Sequence, residues 1–238
     1  MALTEAIEEY VEKLFWFSEA GIEPTQANLA RAMQVSQPSV TEMARRLIDE
    51  GLVERDDRKR LQFTVEGEKV AKHIVSRHRL IEAYLVSEFG IPWDEVHEEA
   101  HTFEHAISPK LEQLMYEKLP HVTACPHGHP IGDSPRETGE ILAAVPVGSK
   151  VVVLRLENED PDLLRLLKRT GIEPGDTIEL LDLGGDNLAL DTRLGRTELP
   201  LDAAQSVSVS VTARGDGAHG VVADLDPAAL LTEGVWGR

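Results

Sequence analysis

Histidine and carboxylate residues recur at helical spacing on both sides of residue 90, and this spacing indicates two consecutive helices with polar faces. His78 and Glu82 stand four residues apart. A second set comprises His97, His101, Glu104 and His105. Because residues i, i+3 and i+4 share one face of a helix, each set can direct its side chains to one side. Imidazole and carboxylate donors suit divalent Mn, Fe, Co, Ni or Zn, so the sequence predicts a metal centre.

The composition restricts the class of protein. A chain of 238 residues is long enough for two or three small domains. It contains no run of about 18 apolar residues, so no membrane association is predicted. The first ten residues are acidic and lack the apolar run of a signal peptide, and a single cysteine is typical of a reducing cytosol. We therefore expect a cytoplasmic protein, and the net charge of −18 argues against a general nucleic-acid coat.

The N-terminal part carries the pattern of a winged helix–turn–helix. Capping residues at Thr25, Ser36 and Thr64 precede helical patterns, and residues 52–55 and 61–64 are two short strands around a charged turn. Helices followed by such a hairpin form a DNA-reading module, although a winged helix can also serve only as a protein contact. Basic residues form a local cluster here, consisting of Arg45, Arg46, Arg55, Arg58, Lys59 and Arg60.

The rest of the chain divides into a helical part and a strand-rich part. Helical patterns continue to about residue 119, a Pro- and Gly-rich loop follows, and short strands separated by Gly and Asp turns come after it. We therefore predict a multidomain α+β protein with a small C-terminal β-barrel. The predicted divisions are a winged helix–turn–helix over 1–72, a helical metal-binding and dimerisation domain over 73–135, a linker over 136–146, the barrel over 147–212, and a partly disordered tail over 213–238.

Four short segments form the most specific part of the sequence. They are Ser36-Gln37-Pro38-Ser39-Val40-Thr41, Arg77-His78-Arg79-Leu80-Ile81-Glu82, Val96-His97-Glu98-Glu99-Ala100-His101-Thr102-Phe103-Glu104-His105 and Cys125-Pro126-His127-Gly128-His129-Pro130-Ile131. In this order they resemble the DtxR/MntR family of metal-dependent transcriptional repressors, and the resemblance covers roughly residues 4–212. It implies a homodimeric regulator of metal homeostasis with an SH3-like, FeoA-like C-terminal domain, and no enzymatic activity.

The resemblance also implies two neighbouring metal ions per subunit. The first site would consist of His78, Glu82 and His97. The second site would consist of Glu9, His101, Glu104 and His105. Because Glu9 lies on the first predicted helix, over residues 4–20, a ligand there would link the metal to the DNA-reading domain. Glu12 matches a further carboxylate of manganese-sensing members, and Asp160, or Glu159 beside it, matches a position from which the C-terminal domain lends a ligand to the first site.

The donors of the second site decide which ion is expected. Iron-sensing members of the family carry sulfur ligands at the positions of Glu9 and His101, and a carboxylate and an imidazole replace them here. These harder donors favour Mn(II). Manganese-sensing members usually carry a carboxylate where His101 stands, and the extra imidazole would also suit Fe(II), Co(II) or Zn(II). Mn(II) is therefore the expected ion, and Fe(II) is the alternative.

The expected partner is double-stranded DNA with a palindromic, inverted-repeat operator. A metal-loaded dimer would hold its two recognition helices about one DNA turn, roughly 34 Å, apart. Side chains at the start of the third helix would read the major groove, those of the second helix would contact the backbone, and those of the wing would hold phosphates. The residues expected at the DNA are Thr25, Gln26, Ser36, Gln37, Pro38, Ser39, Thr41, Glu42, Arg46, Arg58, Lys59 and Arg60.

Other functions and a third metal site are less well supported by the sequence. Histidines and carboxylates on facing helices also occur in dinuclear metalloenzymes, but no nucleophile or oxyanion motif accompanies this set. A MarR-like sensor of an organic ligand would not need charged helical clusters. The segment from Cys125 to Pro130 offers three donors within five residues, but its prolines predict strained ligation. We therefore interpret that segment as a structural linker.

Overall fold

The N-terminal elements form the predicted winged helix–turn–helix. The structure is a computed structural model that describes residues 3–58 and 60–219. The first elements are α1 (Glu5–Ala20), α2 (Gln26–Ala32), α3 (Gln37–Asp49), β1 (Val53–Arg55) and β2 (Leu61–Phe63). The two strands pair antiparallel, with Val53 opposite Phe63. One apolar core joins these elements, and Val11, Leu29 and Leu47 are among its fully buried members.

The capping residues determine where the helices begin. The hydroxyls of Thr25, Ser36 and Thr64 each accept a hydrogen bond from the backbone N–H three residues further along the chain. These bonds satisfy donors that the first turn of a helix cannot pair internally. The three predicted caps are therefore confirmed.

A long helix connects the DNA-reading module to the helical part. The helices of this part are α4 (Val65–Phe89), α5 (Val96–Glu104) and α6 (Pro109–Lys118). Ala71 and Ile74 of α4 lie in the N-terminal core, whereas Leu80 and Ile81 lie in a second core with α5 and α6. No helix in the described parts of the chain is both long and apolar enough to cross a membrane. The boundary predicted at residue 72 falls inside α4, so one helix belongs to both domains.

The C-terminal domain is a six-stranded antiparallel sheet with two short helices. Its elements are β3 (Glu140–Ile141), β4 (Lys150–Leu156), α7 (Pro161–Thr170), β5 (Thr177–Gly184), β6 (Asn187–Thr192), β7 (Gly195–Pro200), α8 (Leu201–Ala204) and β8 (Val207–Ala213). The strand order is β3-β8-β4-β5-β6-β7. Among the described residues β3 pairs only with β8, and β7 pairs only with β6. No strand pairing therefore joins the two edges of the sheet. The predicted closure into a barrel is thus not seen.

The C-terminal domain also extends beyond its predicted limits. The predicted linker contains β3, and Leu142 and Ala143 are buried in the core of the sheet. After β8 the chain returns along Val147, whose N–H donates to the Ala218 carbonyl at 2.8 Å and whose carbonyl accepts from the Gly217 N–H at 3.2 Å. The start of the predicted disordered tail is therefore part of the domain, and residues 220–238 lie outside the described residues.

Candidate metal centre

The first site lies where α4, α5 and the C-terminal domain meet. Nε2 of His78 is 3.2 Å from Oε1 of Glu82, and Nδ1 of His97 is 3.3 Å from the same oxygen. Glu159, in the loop after β4, places Oε2 2.7 Å from Nδ1 of His97. Each of these four side chains offers one donor atom within 4.8 Å of the others. The structure thus brings together the three residues predicted for this site and Glu159, the predicted alternative to Asp160.

Glu159, rather than Asp160, is the C-terminal residue of this cluster. Oδ1 of Asp160 accepts hydrogen bonds from the backbone N–H groups of Asp162 and Leu163, at 3.0 Å each. Asp160 therefore caps α7, and its carboxylate is held at the start of that helix. This geometry does not support the prediction of Asp160 as a ligand, and it favours the alternative beside it, because Glu159 faces His97.

The second site joins α1 to α5. Oε1 of Glu9 lies 3.2 Å from Nε2 of His101 and 3.2 Å from Nε2 of His105. Oε1 of Glu104 lies 3.0 Å from Nδ1 of His101 and 3.6 Å from Nε2 of His105. The four predicted residues therefore meet, although Glu9 is distant from the others in sequence. The side chains of Glu9 and His101 are 23% and 31% exposed, so solvent reaches the second site more easily than the first.

His78 and Glu104 connect the two sites. Nδ1 of His78 is 3.0 Å from Oε2 of Glu104, while the other ring nitrogen faces Glu82 in the first site. Glu12 is buried beside this pair, with Oε1 3.7 Å from Nδ1 of His78. A carboxylate behind a ligating imidazole commonly fixes the orientation of the ring. Glu104 and Glu12 can therefore influence both sites at once.

Two neighbours of the second site were missed in the sequence. Oε2 of Glu8 is 2.8 Å from a guanidinium nitrogen of Arg77 and 3.3 Å from Nδ1 of His105. Glu8 thus orients His105 from behind, while Arg77 holds Glu8. One signal was available, since Glu8 and Glu12 are four residues apart and share the face of α1 that carries the metal-directed carboxylates.

The segment from Cys125 to Pro130 is more than a linker. Nδ1 of His127 lies 3.4 Å from Oε1 of Glu82 and 3.4 Å from Oε1 of Glu159, and its side chain is fully buried. The segment closes on itself, since the Cys125 N–H donates a hydrogen bond to the His129 carbonyl at 2.9 Å. The turn thus places a buried histidine beside two carboxylates of the first site, a position that the linker interpretation did not include.

Buried oxygen atoms without hydrogen bonds indicate that the cluster suits a cation. Among the described residues these include Oε1 of Glu12 and Oε2 of Glu82. A buried acceptor without a partner is costly, and native proteins rarely leave one unsatisfied. The surrounding nitrogen and oxygen donors suit a divalent first-row metal. The residues present therefore fit the ions that the sequence predicts.

The charges inside the centre shift the pKa values of its members. Burial by itself would lower the pKa of His78, but Glu104 and Glu82 raise it well above its usual value. Burial would raise the pKa of Glu104, but His78 and His101 lower it to about 2. In the absence of a metal, protons on the imidazoles thus balance the carboxylates, and metal binding has to displace them.

Comparison with known proteins identifies the family. Residues 2–61 match the iron dependent repressor N-terminal DNA binding domain, residues 64–133 match the iron dependent repressor metal binding and dimerisation domain, and residues 141–211 match the FeoA domain. The iron-dependent repressor IdeR of Mycobacterium bovis is 31% identical over 225 residues, which cover 87% of this chain and 97% of that protein. The chain belongs to the DtxR/IdeR family of metal-dependent repressors.

Solved structures of a manganese-dependent repressor and of an IdeR protein are similar to this repressor. A manganese-dependent transcriptional repressor in complex with manganese has a TM-score of 0.78 and 30% identity, covering 86% of this chain and 99% of that chain. The IdeR of T. acidophilum has a TM-score of 0.71 and 27% identity, covering 89% and 99%. Membership confirms a metal-dependent DNA-binding repressor with a dimerisation domain, not an enzyme. It does not decide the ion.

Helix α3 of the repressor presents most of the predicted DNA-reading side chains at the surface. The exposed predicted residues are Gln26, Ser36, Gln37, Pro38, Ser39, Thr41, Glu42, Arg46 and Arg58. Val40, Met43 and Leu47 face the opposite way, into the core. The Gln26 side-chain amide donates to the Thr41 hydroxyl at 3.1 Å, so α2 holds α3 at its exposed face. The placement of these residues is compatible with the predicted major-groove contact.

Two of the residues predicted to contact DNA have other partners in the structure, and a third lies outside the described residues. The guanidinium of Arg60 is paired with Asp56 at 2.7 Å and with Glu23 at 3.0 Å, so contact with a phosphate would have to compete with these ion pairs. The Thr25 hydroxyl is engaged in capping α2. Lys59 lies outside the described residues.

The metal-free repressor should be most stable between about pH 4.5 and 6.5. The lowered pKa of Glu104 contributes stability above its unfolded value of 4.5, and this contribution is lost as the pH falls towards about 2. The raised pKa of His78 contributes stability below its unfolded value of 6.5, and this is lost as the pH rises through its folded pKa.

Urea denaturation in the presence of a chelator would measure this profile. For Glu104→Gln we expect the free energy of unfolding to depend less on pH below about pH 4.5. Near pH 6 it should be lower than that of the wild-type protein by on the order of 3 kcal/mol. Glu99→Gln, an exposed position on the same helix, is the matched control and should keep the wild-type profile. A wild-type stability that does not change between pH 3 and 6 would contradict the assignment.

Proposed function

We propose that the repressor is activated by Mn(II), with Fe(II) as the alternative ion, and that each subunit takes two ions. The donor set of the second site carries this proposal, because Glu9, His101 and their neighbours supply imidazole and carboxylate without sulfur. Such donors favour harder ions. The Cys125 thiol lies within ligand distance of Glu82 in the first site, and burial raises its pKa in the metal-free protein, so an ion bound there would have to displace its proton.

We infer that the repressor acts as a homodimer on an inverted-repeat operator. Phe103, Leu111 and Leu114 on α5 and α6 are 36%, 36% and 49% exposed, and they lie in the part that matches the family's dimerisation domain. Apolar side chains of this size at the surface favour a subunit contact. A two-fold dimer would place two copies of α3 in successive major grooves, about one DNA turn apart.

Glu9 connects the state of the metal centre to the DNA-reading module. It lies on α1, which packs in the same core as α3, whereas its partners His101 and His105 belong to the helical part. A bound divalent ion would supply the positive charge that holds the Glu9 carboxylate against these imidazoles. Moving a two-state equilibrium from 1:99 to 99:1 takes about 5.5 kcal/mol of differential binding. The two domain arrangements must therefore bind the ion with different affinities.

Metal-dependent DNA binding tests the proposal directly. An operator would first be selected from a random-sequence DNA pool with Mn(II)-loaded protein. Its affinity would then be measured anaerobically with Mn(II), Fe(II), Co(II), Zn(II) or chelator. We expect tight binding at micromolar Mn(II), a two-fold symmetric sequence, and at least a 100-fold weaker affinity in chelator, since 100-fold corresponds to about 2.8 kcal/mol of coupling.

The outcomes separate the parts of the proposal. Equal affinity in Mn(II) and in chelator would contradict the switch. Activation by Fe(II) at free-ion concentrations at which Mn(II) is inactive would replace the proposed ion by the alternative. Equilibrium dialysis of the wild-type protein should give two ions per subunit, and a single ion would contradict the proposed stoichiometry.

A further inference from the structure

Arg136 lies in the segment between the helical part and the sheet, and it contacts both the DNA-reading module and the C-terminal domain. One of its guanidinium nitrogens lies 3.5 Å from Oε1 of Glu19, near the end of α1. Another lies 2.7 Å from Oε2 of Glu157, which follows β4. The side chain thus forms an ion-pair bridge between two domains that are not neighbours in the sequence.

The carboxylates at both ends of this bridge are each held by a second arginine. Glu19 is also paired with the buried guanidinium of Arg79 on α4. Glu157 is also paired with Arg155, whose Nε lies 3.2 Å from its Oε1. The side chains of Glu19 and Glu157 are only 14% and 12% exposed, so water and salt screen these pairs less than pairs at the surface.

The C-terminal end of the bridge is fixed to the sheet. Guanidinium nitrogens of Arg155 donate to the Glu137 carbonyl at 2.8 Å and to the Ser208 hydroxyl at 3.2 Å. Ser208 belongs to β8, which pairs with β4 in the middle of the sheet. Arg155 therefore ties the chain beside Arg136 to the central strands, and a movement of the C-terminal domain would move the bridge.

The position of Glu19 on α1 determines what the bridge can do. Glu9 of the second site and Glu19 are ten residues apart on this helix, which corresponds to about 15 Å along its axis. In the structure Oε1 of Glu9 lies 3.2 Å from each of the two imidazoles of the second site. The assembled second site and the bridge thus occur in one domain arrangement, and they hold α1 at two separate points.

We propose that Arg136 is a positioning residue of the repressor, which acts through Glu19 and stabilises the domain arrangement that the metal ion requires. This inference rests on the proposed metal-dependent function and adds to it a contribution of the C-terminal domain that needs no ion. Any contact that stabilises the DNA-competent arrangement lowers the ion concentration needed to populate it. At saturating metal the ion alone is sufficient, and the bridge is then dispensable.

Arg136→Gln removes the bridge with little disturbance of either domain. Each of the two carboxylates keeps its second arginine, so neither becomes a buried charge without a partner. The matched control is Arg193→Gln, since Arg193 pairs with Glu173 at 3.1 Å and with Asp176 at 3.0 Å, all within the C-terminal domain. Both variants change the net charge equally, so a general electrostatic effect on DNA binding would appear in both.

The test is a titration of operator binding with Mn(II), using the full-length protein and the selected operator. We expect Arg136→Gln to need at least about fivefold more Mn(II) for half-maximal binding, the lower end of typical coupling between sites, and to reach the wild-type affinity at saturating Mn(II). In chelator, where neither site is occupied, its weak DNA binding should fall by a similar factor. Arg136→Lys, which keeps the cation, should recover most of the response, and Arg193→Gln should match the wild-type protein throughout.

Several results would overturn the inference. A folded Arg136→Gln protein with the wild-type Mn(II) midpoint, or with the wild-type affinity in chelator, would show that the bridge does not act on the domain arrangement. A similar shift in Arg193→Gln would assign the effect to net charge. Arg136→Met, which keeps the apolar stem, should reproduce the result of Arg136→Gln, and a wild-type response in this variant would also contradict the inference. If the wild-type protein bound DNA equally in Mn(II) and in chelator, the proposed function itself would fail, which is a distinct result.

Discussion

Replacing Glu9 by alanine should abolish the metal response of DNA binding while leaving the fold intact. Oε1 of Glu9 is the one oxygen of α1 that approaches both His101 and His105, at 3.2 Å from each, among the residues that the structure describes. Even partners outside the ligand shell of a metal site typically contribute ten- to hundredfold to affinity. Loss of a ligand should therefore weaken the second site by at least about 100-fold.

The measurement is a DNA titration at fixed Mn(II), beside a metal titration of the free protein. The Glu9→Ala protein in Mn(II) should bind the operator no better than the wild-type protein in chelator. His101→Ala should behave in the same way. Glu5→Ala, an exposed carboxylate in the first turn of the same helix, is the matched control and should keep the wild-type response. A full metal response in either ligand variant would show that the second site is wrongly assigned.

Substitutions of Glu159 and of Asp160 should have different effects, one on metal affinity and the other on folding stability. Glu159 faces His97 at 2.7 Å, so Glu159→Gln should weaken the first site by roughly ten- to hundredfold. Asp160→Ala should leave metal affinity unchanged. It removes the cap of α7, in which Oδ1 accepts two backbone hydrogen bonds, and loss of such a cap costs about 1 kcal/mol.

Isothermal titration with Mn(II) and urea denaturation in chelator would be applied to both variants. We expect weaker metal binding in the Glu159→Gln protein and a lower free energy of unfolding in the Asp160→Ala protein. Loss of metal binding in Asp160→Ala at unchanged stability would reverse the assignment and restore the ligand that the sequence predicted.

The parts of the fold that depend on local interactions were predictable from the sequence. The caps at Thr25, Ser36 and Thr64 depend on bonds within one helical turn, and the pairing of His78 with Glu82 depends on a spacing of four residues. The family resemblance then supplied Glu9, whose contact with α5 no local pattern could have indicated.

The predictions that differ from the structure concern contacts between residues that are far apart in the sequence. The choice between Glu159 and Asp160 depends on how the chain leaves β4, where Asp160 caps α7 and Glu159 faces His97. The approach of His127 to Glu82 requires the turn to pack on β4, which spacing alone does not show. Closure of the sheet depends on strand edges that are distant in sequence, so the strands were predictable and the barrel was not.

The wide sequence separation of the ligands gives the metal centre a second physical role. His97 and Glu159 are 62 positions apart, and Glu9 and His101 are 92 positions apart. A cross-link that closes loops of this size restricts the unfolded chain by roughly 4 to 5 kcal/mol each in the chain-entropy account. In a chain with one cysteine, ions at both sites would serve as removable cross-links. A chelator would then act on this protein as a reductant acts on a disulfide-bonded one, and its resistance to proteolysis would follow the supply of metal.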